Sequence, residues 1–252
     1  MKKLFLFLVF LACCFSFYAQ EIEVGEAEME LITIKEWNIL LSLNTSGFGF
    51  GFQQGKTPNA KDKHLWEVEF LYNIHHKAVL GRNLPEGRAF HYGKLYDLFF
   101  LRGGYGYQRI ITHKPYYGGV QIRYFFGFGA SICFGLPAYL EIAQFDSLGY
   151  VIGVENERYD PDLHDLGNIV GAARFFDRFH KIAVRPGFYG RAGVNFDFSS
   201  NPLKMQVLEV GFSMDVVFPF IQQMAFSRKK PVYFYGYVAY AFGRKTPRYD
   251  FR

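Results

Sequence analysis

Three observations in this 252-residue sequence predict an all-β fold: a transmembrane, antiparallel, up-and-down β-barrel of about eight strands, or ten if the longest loop supplies two more. The first is alternation. From Gly118 to Phe134, Val120, Ile122, Tyr124, Phe126, Phe128, Ala130 and Ile132 share one face of an extended chain, and Gln121, Arg123, Phe125, Gly127, Gly129, Ser131 and Cys133 share the other. The second is length. A tilted strand needs about 10 residues to cross a bilayer, and sandwich strands average about 5 to 6, so this stretch suits the former. The third is composition: aromatics make up 20% of the chain, with 30 Phe, 18 Tyr and 26 Gly. Outer faces rich in aromatic side chains and inner faces relieved by glycine account for that mixture. Beyond the N-terminus no run of roughly 20 apolar residues offers a membrane helix. A spanning structure must then be a closed barrel, which satisfies every backbone hydrogen bond inside hydrocarbon.

Taken in order, the chain opens with Lys2 and Lys3, an apolar run from Leu4, and small residues ending at Ala19-Gln20. This predicts a secretory signal peptide, residues 1–20, cleaved after Gln20; lipoprotein processing at Cys13 is the competing reading. Removal of the signal leaves Cys133 as the sole thiol, which excludes an intramolecular disulfide or a cysteine metal site. It also takes two lysines from a net charge of +5, too small a balance to suggest nucleic acid as a partner. Residues 21–35, with Glu21, Glu23, Glu26, Glu28 and Glu30, form an acidic periplasmic lead-in. The barrel occupies 36–243, and 244–252 form a periplasmic tail.

The first strand is expected over Glu36–Phe52, ending in alternating Gly and Phe. The second, His64–His76, sets Trp66, Val68, Phe70, Tyr72 and Ile74 against Glu67, Glu69, Asn73 and His75. The third, Leu95–Ile110, sets Leu101, Tyr105 and Tyr107 against Arg102, Gly104, Gly106 and Gln108. Gly118–Phe134 is the fourth, and a short fifth follows over Ala138–Phe145. Alternation is lost from Asp146 to Lys181, and a loop of that length is exposed or functional. The sixth strand, Ile182–Phe198, opposes Phe188, Val194 and Phe196 to Tyr189, Arg191, Asn195 and Asp197. The seventh, Lys204–Phe218, opposes Leu208, Val210, Phe212 and Met214 to Glu209, Ser213 and Asp215. Val232–Phe242 is the eighth. An even strand number puts both ends on the periplasmic side, with Gln53–Lys63, Ile111–Tyr117, Asp146–Lys181 and Pro219–Pro231 as the outward connections.

Charged residues cannot face lipid cheaply. Glu67, Glu69, Arg102, Arg123, Arg191, Asp197, Glu209 and Asp215 are therefore placed inward, and an eight-stranded interior is just wide enough for side chains to fill it. Buried charges must pair. A plugged, salt-bridged lumen is the expected result.

The blocks LNTSGFGFGFQQGK (Leu43–Lys56), YGKLYDLFFLRGGYGYQR (Tyr92–Arg109), GGVQIRYFFGFGASICFGLPAYLEI (Gly118–Ile142), RPGFYGRAGVNFDF (Arg185–Phe198), LEVGFSMDVVF (Leu208–Phe218) and YVAYAFGRK (Tyr237–Lys245) resemble a family of small outer-membrane β-barrel proteins of the Bacteroidota. The resemblance covers nearly the whole mature chain and has no catalytic content. It implies a Gram-negative outer-membrane location and a size similar to accessory barrels of protein-export or barrel-assembly machinery. Partners implied are outer-membrane lipid, a protein in an outer-membrane complex, and the barrel-insertion machinery, the last through Val238, Tyr240 and Phe242. Ten residues follow Phe242, a departure from the usual aromatic terminus of that signal.

For chemistry the sequence offers one cluster, the exposed-loop residues Asp160, Asp162, His164 and Asp165. Carboxylates and an imidazole at such spacing suit a calcium site or acid-base work at a barrel rim, but the calcium-loop Gly and final Glu are missing. A polar loop held by Pro161 accounts for the same residues. No nucleophile elbow or phosphate loop is present, so no enzymatic activity, cofactor or metal is expected. A non-enzymatic accessory barrel is the leading expectation, with a narrow solute channel and a hydrolytic barrel enzyme as alternatives.

Overall fold

The described residues of the computed structural model form thirteen strands: β1 (Thr33–Asn44), β2 (Gly47–Lys56), β3 (Asp62–Asn73), β4 (Leu80–Gly81), β5 (Phe90–His91), β6 (Tyr96–Thr112), β7 (Gln121–Pro137), β8 (Tyr139–Phe145), β9 (Val151–Arg158), β10 (Ile169–Ala172), β11 (Ala183–Asp197), β12 (Lys204–Ile221) and β13 (Lys230–Pro247). The structure describes residues 33–58, 61–75, 78, 80–82, 87–114, 119–148, 150–174, 181–201, 203–227 and 230–247. The predicted signal peptide with Cys13, nearly all of the acidic lead-in, and residues 248–252 of the tail lie outside them.

Eight of these strands close a barrel in the order β1-β13-β12-β11-β7-β6-β3-β2, every neighbouring pair antiparallel. The pleat sorts the side chains as the alternation requires. On β7, Phe126 and Phe128 are exposed while Gln121, Arg123, Phe125, Ser131 and Cys133 are buried. Trp37, Leu43, Phe50, Trp66, Phe188, Phe212 and Phe234 likewise stand exposed on the outer wall. A closed wall of this kind with an apolar outside is a membrane-spanning barrel.

The strand number agrees with expectation, but two of the eight differ in identity. Glu36–Phe52 is a hairpin of β1 and β2 joined through Thr45 and Ser46. The reversal uses Gly47 at φ +144°, where a side chain would collide with the Tyr72 carbonyl. Ala138–Phe145, by contrast, lies outside the wall: β8 forms the centre of a separate three-stranded sheet, β10-β8-β9. The long segment after Asp146 thus does supply strands, but to that sheet and not to a ten-stranded barrel.

These two changes reassign the connections. The start of β1, the end of β13 and the turns after β2, β6 and β11 share one end of the barrel, the terminal end. The β1–β2 turn and the connections after β3, β7 and β12 share the other. Gln53–Lys63 and Ile111–Tyr117 therefore connect strands at the end where β1 starts and β13 finishes, and only Asp146–Lys181 and Pro219–Pro231 of the four expected outward connections join strands at the opposite end. A barrel in a bacterial outer membrane has short periplasmic turns and longer outer loops, which matches this division. β2 has 10 residues, enough to span, whereas β12 and β13 have 18 each and rise well past the β1–β2 turn.

Inside the wall two apolar clusters bracket a charged middle. Leu71, Leu98, Phe100, Cys133, Val217, Ile221, Tyr233 and Tyr235 fill the end nearer the β3–β6, β7–β11 and β12–β13 connections, and Leu40, Phe125, Met205, Val207, Tyr237, Ala239 and Ala241 the terminal half. Glycine makes room for the middle layer. Gly104 and Gly129 face each other across β6 and β7, and a Cβ on Gly129 would lie 2.8 Å from the Tyr189 ring.

Candidate functional site

Two places in the fold concentrate polar side chains: the middle of the lumen and the cap at the end opposite the termini. In the lumen, parity brings side chains from all eight strands to one axis. Arg102 of β6 reaches Glu69 Oε2 of β3 at 3.0 Å and grips both carboxylate oxygens of Asp215 on β12, with Nε 3.1 Å from Oδ1. Arg191 of β11 lies 2.6 Å from Glu209 Oε1, 3.4 Å from Glu67 Oε2 and 3.8 Å from Glu69 Oε2. Neutral donors complete the carboxylate shells: Tyr189 and Gln53 to Glu67, Ser42 to Glu69, and Tyr237 to Glu209. Both guanidiniums also lie over aromatic rings, Arg102 over Tyr189 and Tyr235, Arg191 over Phe125 and Tyr237.

A second network closes the terminal end. Asp197, fully buried, receives Lys245 at 2.7 Å, Lys114 at 3.0 Å and Arg123 at 3.3 Å, and Glu36 pairs with Lys63 at 2.5 Å. All eight residues expected to face inward are thus placed in the interior, six in the middle and Arg123 with Asp197 at the terminal end. Sequence reading placed Tyr189 inward but missed Glu36, Lys63 and the inward Tyr233, Tyr235 and Tyr237. Parity was the available signal: Glu36 keeps step with Asn38, Leu40 and Ser42, and Tyr233, Tyr235 and Tyr237 alternate with Phe234, Gly236 and Val238.

The cap is built from the connections after β3, β7 and β12. The β10-β8-β9 sheet packs Leu140, Ile142 and Ile169 with Phe90 and Tyr159, and backbone bonds tie Leu95 to Gln223 and Ala225 to Gly93. Burial pushes the Tyr159 phenol up to about 12. Here one expectation is corrected. His164 is buried, because its ring packs beside Tyr159 and both nitrogens are engaged: Nδ1 accepts the Asp160 amide at 3.0 Å and Nε2 meets Glu157 Oε2 at 3.2 Å. Asp162 and Asp165 remain exposed and Asp160 half-buried. The four do not converge, and among the described residues no group of three His, Cys, Asp or Glu side chains could hold a metal ion.

The outer edge of the cap is different in kind. Among the described strands β9 pairs with β8 alone, and it is exposed on both faces. Val151, Ile152 and Val154 are 51–70% exposed, and Leu148 and Tyr150 at the hairpin tip 73–79%.

Fold and side chains together define a membrane-spanning β-barrel with a filled lumen and a structured cap. No known protein family matches the sequence, and no curated protein does. Among solved structures the chain is similar to Ail, the attachment invasion locus protein of Yersinia pestis, at 10% identity and a TM-score of 0.39, over 85% of this chain and 99% of that one. It is also similar to Neisserial surface protein A (NspA), at 12% identity and a TM-score of 0.37, over 84% and 96%. Values this low leave function to be argued from the side chains of this chain.

Proposed function

We propose that this protein is a non-enzymatic barrel of a Gram-negative outer membrane that serves as an accessory component of an outer-membrane complex, holding its cap for a protein partner. The observation that carries this reading is the edge of β9 at Val151–Val154, on the side away from β8, which no other described strand covers. Free backbone donors and acceptors along a strand edge are a template for another strand, and soluble proteins usually blunt such edges. Here the edge runs between exposed Val151, Ile152 and Val154, so an extended partner segment could add backbone hydrogen bonds and bury apolar side chains together. The filled lumen supports an anchoring role over transport, since the Arg102 and Arg191 networks and the two apolar clusters occupy the axis.

The test is purification from native outer membranes in mild detergent with a tag after Arg252, followed by mass spectrometry. A stoichiometric protein partner is expected with the native chain and its loss with the Ile152→Lys/Val154→Lys variant. A native barrel that emerges alone, or a partner unaffected by the variant, contradicts the proposal.

A further inference from the structure

At the terminal end of the wall, four outward basic side chains stand on four adjacent strands. Lys56 on β2 lies directly opposite Lys35 on β1, and Lys204 on β12 directly opposite Arg244 on β13, while the strands run in the order β2-β1-β13-β12. All four are exposed. Like charges directly opposite each other weaken an antiparallel pair, yet here two such pairs sit side by side. Among the described residues, the outward ones that share this edge are Trp37, Gln54, Gln206, Phe242 and Thr246, with no carboxylate among them, because Glu36 and Asp197 point into the lumen. No ion pair engages Lys35, Lys56, Lys204 or Arg244 among the described residues. Arg109, further round the edge on β6, differs in having Asp62 at 3.8 Å.

The band also lies at a definite depth. Trp37 is opposite Arg244 and two residues from Lys35, and it stacks on Phe52 at the margin of the apolar wall. Tryptophan at such a margin marks the interface between hydrocarbon and headgroups. Side chains one step beyond it meet phosphates.

From this we infer that the Lys35–Lys56–Lys204–Arg244 band is a binding surface for phospholipid of net negative charge in the leaflet on the side of the termini. The inference rests on the membrane placement given above. Anionic headgroups relieve the repulsion within each cross-strand pair, and the bound lipid's chains continue onto the apolar wall at Trp37, Leu41 and Phe52. Attraction of this kind is worth about 1 kcal/mol per basic side chain near a charged surface, on the order of fivefold in local lipid occupancy, and is screened by salt.

The chain has two tryptophans, which provide the test. Full-length W66F protein, with only Trp37, and W37F protein, with only Trp66, are reconstituted in phosphatidylcholine containing a minor fraction of phosphatidylglycerol, with either lipid brominated in turn. Brominated phosphatidylglycerol is expected to quench Trp37 several-fold beyond its mole fraction at low salt and in proportion to it at high salt, whereas Trp66, higher on β3, tracks mole fraction throughout. The K35Q/K56Q/K204Q/R244Q variant in the W66F background should lose the preference while heat-dependent gel mobility reports a folded barrel. The K35Q/K56Q and K204Q/R244Q pairs should each lose part of it, so the inference does not depend on folding of the quadruple variant. Quenching of Trp37 in proportion to mole fraction in the native band, or a preference that survives in all these variants, overturns the inference. Failure of either brominated lipid to quench Trp66 overturns the membrane placement itself.

Discussion

Arg102→Met removes one of the two fully enclosed guanidiniums of the lumen, from a residue only 1% exposed. Methionine fills much of the same volume, so the effect is electrostatic. Asp215 loses both of its Arg102 contacts, and Glu69 keeps only Ser42 at 3.0 Å and a distant Arg191 at 3.8 Å. Removing one partner from a buried pair costs about 3–5 kcal/mol, chiefly because a carboxylate is left desolvated and unpaired. Against a typical stability of about 5–15 kcal/mol, that is about a fifth of the total or more. Arg102→Lys retains the charge but not the two-pronged grip on Asp215, and should fall between Arg102→Met and the native chain. In the triple variant R102M/E69Q/D215N, uncharged groups replace the whole set, which is often neutral or stabilising. It should recover most of the loss. The assay is urea unfolding in lipid vesicles, followed by tryptophan fluorescence and gel mobility. A loss below about 1 kcal/mol in Arg102→Met, or a triple variant weaker than the single one, would refute the paired-lumen account.

Gly129→Val should hinder folding, since its Cβ would enter the space of Tyr189 and crowd Gly104; about 1–3 kcal/mol or more is expected from overpacking, read as the folded fraction by heat-dependent mobility. Cys133, fully buried within its apolar cluster, should resist maleimide in the folded barrel and react once heat opens it; rapid labelling of the folded form would contradict that packing. In planar bilayers the purified barrel should show no steady conductance, because charged networks and apolar clusters occupy the axis, and channel steps at every insertion would count against a filled lumen. His164→Ala should loosen the cap around Tyr159 and Asp160, detected as faster proteolysis between β9 and β10, without changing the mobility of the folded barrel.

How far the sequence reveals this molecule depends on how local each rule is. Inward and outward sides follow from parity alone, so Glu67, Arg102, Arg191 and Asp215 could be placed before any pairing was known. The β1–β2 turn was harder. Asn44-Thr45-Ser46 carries no Pro and is only a short polar break ahead of the Gly-Phe alternation, but the outward set does change from odd numbers, Trp37 to Leu43, to even numbers, Phe48 to Phe52. That phase shift is the mark of a turn. β8 misleads for the opposite reason: Leu140 and Ile142 alternate like barrel residues, but they face Phe90, Tyr159 and Ile169 in the cap. Alternation records one buried face without naming what buries it. Which carboxylate meets which arginine depends on contacts between distant segments that no spacing encodes, and the burial of His164 depends on the chain folding back locally onto Glu157, Tyr159 and Asp160.

Cysteine labelling on intact cells tests the central claim, that a lipid-embedded barrel presents the β8–β9 hairpin on the outer surface. In a Cys133→Ser background, Ile152→Cys on the cap and Lys61→Cys in the turn between β2 and β3 are treated with a membrane-impermeant maleimide. The account predicts rapid labelling of the Ile152 position, and labelling of the Lys61 position only after the outer membrane is broken. Labelling of Lys61→Cys but not Ile152→Cys on intact cells would invert the barrel and contradict the proposed role of its cap.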